Sequence, residues 1–435
     1  MDQPNVLFFL PDQHRADYLG ANPALPLRTP HLDALAAQGM RYTNAITPSP
    51  LCAPARACLA SGRGYERCGV PGNAHDYPLD QPTYYALLRA ASYHVAGVGK
   101  FDLHKKTLDW GLDGARLLPE WGFSAGIDNE GKIDAIRSGA DEPRGPYMAE
   151  LHRRGLAARH VHDFQQRHPF RDTYPTPLPD DAYCDNWIAE NGLGLMRQFP
   201  TDQPWHLVVN FTGPHNPMDV TEAMQRRWEG VAFPPPHNNT QWDAETHQQI
   251  RRNYAAMIEN IDRHAGRFIA AIRDRGELDR TLIIYSSDHG EMLGDHDRWG
   301  KSIWRQPSVG IPLIVSGPGV ARGATSDALV SFHDLAATLL DYAGLDVPAA
   351  MDSRSLRAVL EGRHAHHRDA VVSGLGDWRM VYDGRFKLVR GAGIKPMLFD
   401  LLKDPHEDDD VAAGLPAEAA RLGDLLAQEA EEVVS

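Results

Sequence analysis

The sequence lacks any hydrophobic run long enough to span a membrane, and its N-terminus has no basic segment. The first apolar run, Val6–Leu10, is short, whereas a membrane-spanning helix needs about 20 apolar residues. A secretory signal peptide would also place basic residues ahead of that run. We therefore expect no membrane partner and no export signal, and a chain that starts directly in a core strand.

Cysteine is scarce in the chain. The 435 residues include only four cysteines, namely Cys52, Cys58, Cys68 and Cys184. Small domains stapled by disulfides carry far more cysteine for their length. The composition therefore excludes a disulfide framework and favours a reducing compartment. We predict a cytoplasmic protein, with the periplasm as the alternative if a leader was removed.

Positive charge is also in deficit, because Asp and Glu number 58, Lys and Arg 44, and the formal net charge is −14. No basic stripe interrupts this excess, so we predict no nucleic-acid partner. The remaining composition, 42% hydrophobic and 23% charged, is that of a globular protein. The length suits one large domain and one small domain.

The most informative stretch runs from Ser49 to Arg63. Pro54 suits the first turn of a helix, and Cys52 is predicted to cap that helix, with Arg56 one turn further on. The N-terminus of a helix carries unpaired N–H groups and a partial positive charge. We therefore expect an anion to be held beside Cys52.

The same stretch combines Cys-x-Pro-x-Arg with Leu-x-Ser-Gly-Arg. This pattern resembles the signature of the type I sulfatases, the formylglycine-dependent members of the alkaline phosphatase superfamily. The resemblance implies that a formylglycine-generating enzyme reads Pro54 and Arg56 and converts Cys52 to formylglycine, whose hydrated aldehyde is the nucleophile. The departures are Ala55 and Ser61, where Ser and Thr are commoner. The alternative is a buried cysteine that only packs.

A polar pair follows the predicted buried strand Val6–Leu10. Ligands bind at the carboxyl ends of strands in open α/β sheets, and this strand leads into Asp12 and Gln13. Their two oxygen donors suit a hard divalent cation, although an aspartate that only caps a helix gives the same local pattern.

A second predicted strand, Thr281–Ser287, leads into Asp288 and His289. This pair resembles the second pair of sulfatase metal ligands. The expected metal ligands are therefore Asp12, Gln13, Cys52, Asp288 and His289. Such a set favours one calcium ion, with magnesium or manganese as alternatives because of the imidazole nitrogen.

Lys100 follows the predicted strand Tyr93–Gly99. It resembles the family's Gly-Lys-x-His turn, whose lysine contacts the sulfate and whose histidine assists breakdown of the covalent intermediate. Here Asp102 stands two residues beyond the lysine, and the nearest histidine is His104. Either His104 reaches the same place through a longer turn, or Asp102 replaces it as base, or Asp102 faces a cationic group of the substrate. For Lys100 itself, a solvated charge at a strand end is the alternative.

The turn after the predicted strand Trp205–Phe211 carries His215 between two prolines. It resembles the family's Pro-His-x-Pro element, so His215 is our candidate proton donor, and imidazole has a pKa near working pH. A ring that only satisfies loop carbonyls is the alternative. Lys301 takes the place of the lysine that bridges the sulfate and the leaving group. Gln306 stands where the family often has Glu.

The resemblance implies hydrolysis of a sulfate ester to an alcohol and inorganic sulfate. The expected catalytic residues are Cys52, Arg56, Lys100, His104, His215 and Lys301, and the expected substrate contacts are Lys100, Asp102, His215 and Lys301. The substrate is expected to be a small sulfated sugar, aryl or alkyl compound. Two alternatives are a phosphonate monoester or phosphodiester hydrolase of the same superfamily, and a catalytically silent binding protein in which Cys52 stays unmodified.

Residues 117–185 show no sustained hydrophobic period. We predict that they form an insertion of loops and short helices over the active site, where folds of this kind place specificity. Trp121, Tyr147, His160 and His162 are candidates for substrate contact, although most of the four are expected not to touch it.

The predicted fold is α/β, with a large, mostly parallel sheet flanked by helices in residues 1–362. A long amphipathic helix is expected from Asp243 to Arg275. Residues 363–435 are predicted to form an α+β subdomain, a small antiparallel sheet with a hairpin at Asp383-Gly384. A closing helix is expected from Pro416 to about Val434.

Overall fold

An eight-stranded sheet forms the centre of the computed structural model, which describes residues 3–431. Its strands are β1 (Asn5–Phe9), β2 (Met40–Ile46), β3 (His94–Gly99), β4 (Ala125–Asp128), β5 (Trp205–Asn210), β6 (Thr281–Ser286), β7 (Leu313–Ser316) and β8 (Ala324–Ser331). The order across the sheet is β4-β3-β5-β1-β6-β7-β2-β8. Only β7 runs antiparallel to its neighbours in this sheet. The predicted large, mostly parallel sheet is confirmed.

The helices of the described chain lie on both faces of this sheet and in its connections. They are α1 (Pro30–Gln38), α2 (Cys52–Ser61), α3 (Tyr84–Ala90), α4 (Lys132–Gly139), α5 (Pro146–Arg153), α6 (Ala157–Gln166), α7 (Cys184–Met196), α8 (Glu222–Arg226), α9 (Ala244–Asp274), α10 (Gln306–Val309), α11 (Asp334–Tyr342), α12 (Arg357–Leu360) and α13 (Pro416–Glu431). The long amphipathic helix is therefore α9, within one residue of its predicted ends at both termini.

Strand β1 shows why the sequence reads as a continuous apolar run. It pairs in parallel with β5 on one side and β6 on the other. Val6 and Phe8 pack into one hydrophobic core, while Leu7 and Phe9 pack into a second core on the opposite face. Because both faces of β1 are covered, none of its side chains faces solvent. The strand therefore lacks the alternation of apolar and polar residues that a half-exposed strand shows. The carboxyl ends of β1, β3, β5 and β6 share one edge of the sheet.

The C-terminal part contains a four-stranded antiparallel sheet, as predicted, in the order β12-β11-β10-β9. Its strands are β9 (Val371–Leu375), β10 (Trp378–Tyr382), β11 (Phe386–Gly391) and β12 (Ile394–Asp400). One face packs on the main body, where Trp378 and Met380 share a core with Leu329. The other face receives Leu422 of α13. The predicted extension of α13 to Val434 lies outside the described residues.

The stretch 117–185 corrects one expectation. It is not wholly an insertion, because its residues Ala125–Asp128 form β4, which pairs in parallel with β3 at the edge of the main sheet. The helices α4, α5 and α6 follow only after that strand. A strand of four residues, with three of them half-buried, gives too short a pattern to be seen in the sequence.

All four cysteines are free and buried. This agrees with the prediction that the chain has no disulfide framework. Within residues 3–431, none of the helices has both the length and the apolar character that a membrane crossing requires.

Candidate active site

The ends of β1 and β6 meet the first turn of α2 at the carboxyl edge of the sheet. Cys52 Sγ lies 3.7 Å from Asp12 Oδ1 and 3.3 Å from His289 Nε2. His289 Nε2 in turn lies 3.6 Å from Asp288 Oδ2. All four residues are at most 1% exposed. We call Asp12, Cys52, Asp288 and His289 the strand-end cluster, and it brings together residues that the sequence places up to 277 positions apart.

Hydrogen bonds of its backbone and its side chain hold Gln13 beside this cluster. Its φ of 69° lies in the left-handed region, which a residue other than glycine adopts only when its surroundings enforce it. The Gln13 N–H donates to Asp288 Oδ1 over 3.0 Å, and the Tyr254 hydroxyl donates to the Gln13 carbonyl over 2.6 Å. The side-chain amide donates from Nε2 to the Glu291 carboxylate. Its oxygen, Oε1, accepts from Lys301 Nζ over 2.5 Å.

The first turn of α2 presents the cysteine. Cys52 is the first helical residue and the cap is the extended Leu51, so the prediction of Cys52 as the cap is wrong by one position. Pro54 lies in the first turn, where its missing N–H costs no hydrogen bond. The N–H of Ala53 is bound by Asn73 Oδ1 over 3.1 Å. The positive end of the helix therefore adjoins the cysteine sulfur, as expected.

Basic side chains surround the cluster. Lys100 Nζ forms a close ion pair with Asp12. Arg56 Nη2 lies 3.5 Å from the same carboxylate. Lys301 Nζ lies 3.1 Å from Cys52 Sγ. The positive charge of these three side chains favours binding of an anion at the centre. An anion can bind there without displacing any of the three.

The charges shift the pKa of the cysteine thiol. Burial and Asp12 raise this pKa, but Lys100, Lys301 and His289 outweigh them and lower it to about 6. Burial likewise opposes the charged form of Asp12, yet Lys100 and Lys301 lead the groups that hold its pKa well below the ordinary value. At neutral pH the unmodified centre therefore holds a thiolate and a carboxylate side by side.

The donor set fits a divalent cation. Asp12, Cys52, Asp288 and His289 each offer one ligand atom, and these atoms all lie within 4.8 Å of one another. His289 Nδ1 lies 3.0 Å from the Gly290 carbonyl oxygen, so its N–H donates there and the Nε2 lone pair faces the cluster. Two buried carboxylates facing one imidazole lone pair are a common arrangement around a metal ion.

The turn after β3 holds Lys100 and Asp102 at the centre. Asp102, with a φ of 55°, accepts from Lys100 Nζ at 3.0 Å and from Lys105 Nζ at 2.8 Å. Burial opposes its charge, but Lys100 and Lys105 hold the pKa of Asp102 well below the ordinary value. Lys105 also pairs with Asp134 at 2.7 Å. Asp102 is therefore a firmly ionised carboxylate that positions two lysines.

The structure does not bring His104 to the cluster. Its Nε2 lies 2.8 Å from Asp128 Oδ2. The ring packs against Trp110 and Trp121, with centroids 5.2 and 5.5 Å away. The pair with Asp128 and the two indole rings hold this histidine in the protein core, although its buried Nδ1 has no hydrogen-bond partner among the described residues. The longer turn therefore does not bring the ring to the cysteine.

His215 lines the active-site cavity, in the turn between the cis peptides Gly213-Pro214 and Asn216-Pro217. Its Nδ1 lies 2.6 Å from the Asn216 carbonyl oxygen, so Nδ1–H donates and Nε2 carries the lone pair. Burial and Lys301 lower the pKa of His215 well below the ordinary value. The ring is therefore neutral at pH 7, and its free nitrogen is a proton acceptor.

A cavity of about 610 Å³ opens above the cluster. Cys52, Lys100, His215 and Lys301 line its floor. Its outer side includes residues from α4, from the α6 region and from the loop before Lys301. We call Lys105, Arg137, Phe164, Phe170 and Trp299 the cavity wall.

Sequence reasoning missed the members of the cavity wall and Glu291. None of the four candidates from the predicted insertion, Trp121, Tyr147, His160 and His162, is among the residues that line the cavity. Glu291 binds the Gln13 amide and also accepts from the Gly300 N–H over 2.7 Å, so it ties β1 to the loop that carries Lys301. Its place in Asp288-His289-Gly290-Glu291, two residues after a predicted ligand, was the available signal.

The chain is similar to known proteins in sequence and in fold. The sulfatase family model matches residues 4–345, and the model of the N-sulphoglucosamine sulphohydrolase C-terminal region matches residues 294–422. The N-acetylglucosamine-6-O-sulfatase of Bacteroides thetaiotaomicron is 24% identical over 94% of this chain and 80% of its own length. The choline-sulfatase of Rhizobium meliloti is 29% identical over 94% of this chain and 82% of its own length. The solved phosphonate monoester hydrolase of Agrobacterium radiobacter superposes with a TM-score of 0.83 at 26% identity, covering 99% of this chain and 96% of that one.

Proposed function

Because the chain belongs to the sulfatase family and hydrolyses a sulfate ester, we propose that its nucleophile is a formylglycine made from Cys52. The observation that carries this proposal is the position of the Cys52 sulfur, which lies within 4 Å of Asp12, His289 and Lys301. A hydrated aldehyde at that position would have one hydroxyl among cationic groups and metal ligands. A residue that only packs would not need this set of buried charges.

Asp12, Gln13, Asp288 and His289 would hold the divalent cation together with the modified residue. We propose calcium, because carboxylate and amide oxygens dominate the set. When bound, the cation supplies a Lewis-acid charge that stabilises the sulfate oxygens and lowers the pKa of the attacking hydroxyl.

The proposed reaction at position 52 has two stages. In the first stage one hydroxyl of the hydrate loses its proton and forms a bond to sulfur, and the bond from sulfur to the alcohol oxygen breaks. In the second stage the other hydroxyl loses its proton, the bond from carbon to the sulfate oxygen breaks, and the aldehyde returns. Water then restores the hydrate, so the net reaction consumes one water and releases alcohol and sulfate. Arg56, Lys100 and Lys301 offset the charge that develops on the sulfate oxygens.

The proton roles follow from two side chains that line the floor of the cavity, Lys301 and His215. Lys301 carries donor hydrogens and lies 3.1 Å from the Cys52 sulfur, so we assign it the proton given to the departing alcohol. His215 is neutral with a free Nε2, which suits the proton taken from the second hydroxyl. This assignment reverses the role of proton donor that the sequence suggested for His215. It also leaves Asp102 as the residue that positions Lys100 and Lys105.

A sulfated sugar is the substrate class that the cavity supports best. Phe164, Phe170 and Trp299 offer apolar surface on which a sugar ring packs, while Lys105 and Arg137 offer donors to its oxygens. Basic side chains outnumber acidic ones in the lining, which disfavours a quaternary ammonium alcohol such as choline. The relative from Bacteroides thetaiotaomicron, an N-acetylglucosamine-6-O-sulfatase, adds support from similarity.

Matched substrates test the reaction class. The full chain is produced together with a formylglycine-generating enzyme, and mass spectrometry of the Cys52 peptide first measures conversion of the thiol to the aldehyde. The converted protein is then assayed on an aryl sulfate and on an aryl phosphonate monoester with the same leaving group. We expect kcat/KM to be higher for the sulfate. A higher value for the phosphonate would favour the alternative activity, which the fold similarity to a phosphonate monoester hydrolase makes the main competitor.

A panel of sulfated sugars, choline sulfate and an aryl sulfate tests the substrate class on the same preparation. We expect release of sulfate to be fastest from a sulfated sugar. An unconverted Cys52 in protein that nevertheless releases sulfate would contradict the proposed nucleophile.

A further inference from the structure

A second group of metal-ligating side chains lies outside the active site. His237 precedes α9, His296 lies in the short turn of 3₁₀ helix Asp295–Asp297, and Asp408 follows β12. One ligand atom of each lies within 4.8 Å of the other two. We call His237, His296 and Asp408 the surface histidine cluster.

The ring of His296 is held with Nδ1 toward the carboxylate. His296 Nε2 lies 2.9 Å from the His406 carbonyl oxygen, an acceptor, and 3.0 Å from Arg305 Nη1, a donor, so either tautomer satisfies this nitrogen. His296 Nδ1 faces Asp408 Oδ1 across 3.7 Å, which is too long for a hydrogen bond in either tautomer. The separation leaves room for a cation between the ring nitrogen and the carboxylate oxygen.

The other ring completes the geometry. His237 Nε2 lies 2.8 Å from Asp408 Oδ2, and the Asn238 side chain donates to Asp408 Oδ1 over 2.7 Å. Ligand atoms on a tetrahedral ion about 2.0–2.2 Å from each of them are separated by about 3.3–3.6 Å. The observed separations of 2.8 and 3.7 Å lie on either side of that range, so small side-chain adjustments would close the site.

The backbone segments that carry these side chains are held in place by other contacts. Glu407, the residue before Asp408, is buried and pairs with Lys387 at 2.7 Å. The His237 N–H donates to Asp295 Oδ1 over 2.9 Å. The cluster is thus presented by anchored backbone rather than by free loops.

We propose that the surface histidine cluster binds one divalent transition-metal ion, zinc first. Two imidazole nitrogens and one carboxylate oxygen are a zinc donor set, whereas calcium prefers oxygen alone. The His406 carbonyl oxygen, 2.9 Å from His296 Nε2, offers the outer contact that ligating histidines usually make. The fourth position opens to water, because Asp408 is exposed.

Arg305 carries a positive charge beside the site. Its Nη1 lies 3.0 Å from His296 Nε2, on the ring edge away from Asp408, and donates to the carbonyl oxygens of His406 and Glu407. With a metal ion on Nδ1, the Nε2–H would donate to the His406 carbonyl oxygen, and Arg305 would keep its two carbonyl acceptors. The bound ion would join the C-terminal subdomain to the segment 295–301, whose last residue is Lys301 of the active site.

The test uses the full chain without a histidine tag, converted at Cys52 and saturated with calcium so that the catalytic centre is occupied. Zinc is titrated by competition with a chromophoric chelator, and cobalt is added separately to record its visible absorption. The variants are His237→Ala, His296→Ala and Asp408→Asn. The matched control is His366→Ala, which alters an exposed His366–Asp369 pair of 3.1 Å that has no third donor.

We expect one zinc equivalent per chain at the cluster, with affinity at least ~10-fold weaker in each of the three variants and unchanged in the control. Cobalt should give the intense visible bands of a four-coordinate site in the parent and control only. Zinc should also raise the melting temperature of these two proteins and not that of Asp408→Asn, whose fold is checked by circular dichroism. Equal zinc affinity in all four variants and the parent, or binding that appears only in a dimer on a sizing column, would overturn the proposal.

Discussion

The floor and the wall of the active-site cavity are built in different ways. The strand-end cluster at the floor is carried by strand ends and one helix terminus, and its four residues are at most 1% exposed. The cavity wall is carried by α4, α6 and loops, and its side chains are half-buried or exposed. A charged centre needs ligands fixed by rigid elements, whereas recognition of an alcohol needs only a shaped surface. If the proposed function is right, this difference predicts that the chemistry and the choice of substrate can be changed separately in this molecule.

The strongest test of the separation removes the nucleophile. Cys52→Ala should abolish sulfatase activity, with a loss of about 10⁴-fold or more in kcat on every substrate, because no group in the cavity replaces a covalent nucleophile. Cys58→Ala is the control, since it lies in the same helix and is equally buried but packs in the core. Steady-state kinetics on a sugar sulfate and an aryl sulfate measure the effect. Residual activity that differs between the two substrates would contradict the separation of the chemistry from the choice of substrate.

Removing Lys301 should be the next largest effect. Lys301→Ala should lower kcat by about 10²–10³-fold with both substrates, as expected for loss of a group that acts on the transition state. Lys395→Ala is the control, because its side chain is 82% exposed and is not among the residues that line the cavity. A change confined to KM would instead mean that Lys301, like the residues of the cavity wall, contributes to substrate binding and not to the chemical step.

The same variant has a pH signature in unmodified protein. The pKa of the Cys52 thiol is lowered to about 6, so the thiolate persists down to about pH 6 and is lost below it. Alkylation of Cys52 should therefore speed up with pH through a midpoint near 6. Lys301→Ala removes one of the charges that favour the thiolate, so its midpoint should move upward toward the ordinary thiol value. An unchanged midpoint would mean that the charge of Lys301 does not affect the pKa of the Cys52 thiol.

A change in the cavity wall should alter substrate choice alone. Arg137→Ala should raise KM about 1.4- to 5-fold for a sulfated sugar, as an exposed polar contact is worth about 0.2–1 kcal/mol, and leave a small aryl sulfate unaffected. Arg153→Ala is the matched control, because it is also an exposed arginine in the last turn of a helix but lies outside the cavity lining. Equal effects on both substrates would show that the wall takes part in the chemistry.

The smallest expected effect on activity belongs to His104. His104→Gln should leave kcat within about 2-fold, since the ring is turned to Asp128, while unfolding free energy falls by about 1–3 kcal/mol through the lost buried contact. Denaturant unfolding and steady-state kinetics measure the two quantities. A large loss of kcat with intact stability would return His104 to the role of base that the sequence suggested.

The sequence predicted the floor of the cavity well because its signals are local. An apolar run such as Val6–Leu10, with a polar pair behind it, indicates a buried strand and the direction of its end, and the structure places Asp12 there. The Cys52 stretch carries its helix start and its chemistry within a few residues. Each signal depended on neighbours in the chain rather than on distant contacts.

The remaining parts depend on contacts between distant segments. His104 lies two residues beyond Asp102, and only the positive φ of Asp102 and the distant partner Asp128 show which way its ring points. Arg137 and Trp299 lie on one wall although 162 positions separate them, and neither follows a strand that would have marked it. Strand β4 is too short to carry a pattern of its own.

Every residue of α2 is buried, including Pro54 and Arg56, which flank the cysteine in sequence. A modifying enzyme that recognised this segment as an extended peptide would not reach it in the folded protein. If Cys52 is converted as we propose, the aldehyde would have to be installed between synthesis and folding. Molecules that fold first would then keep the thiol, and the active fraction of a preparation would depend on the relative rates of modification and folding.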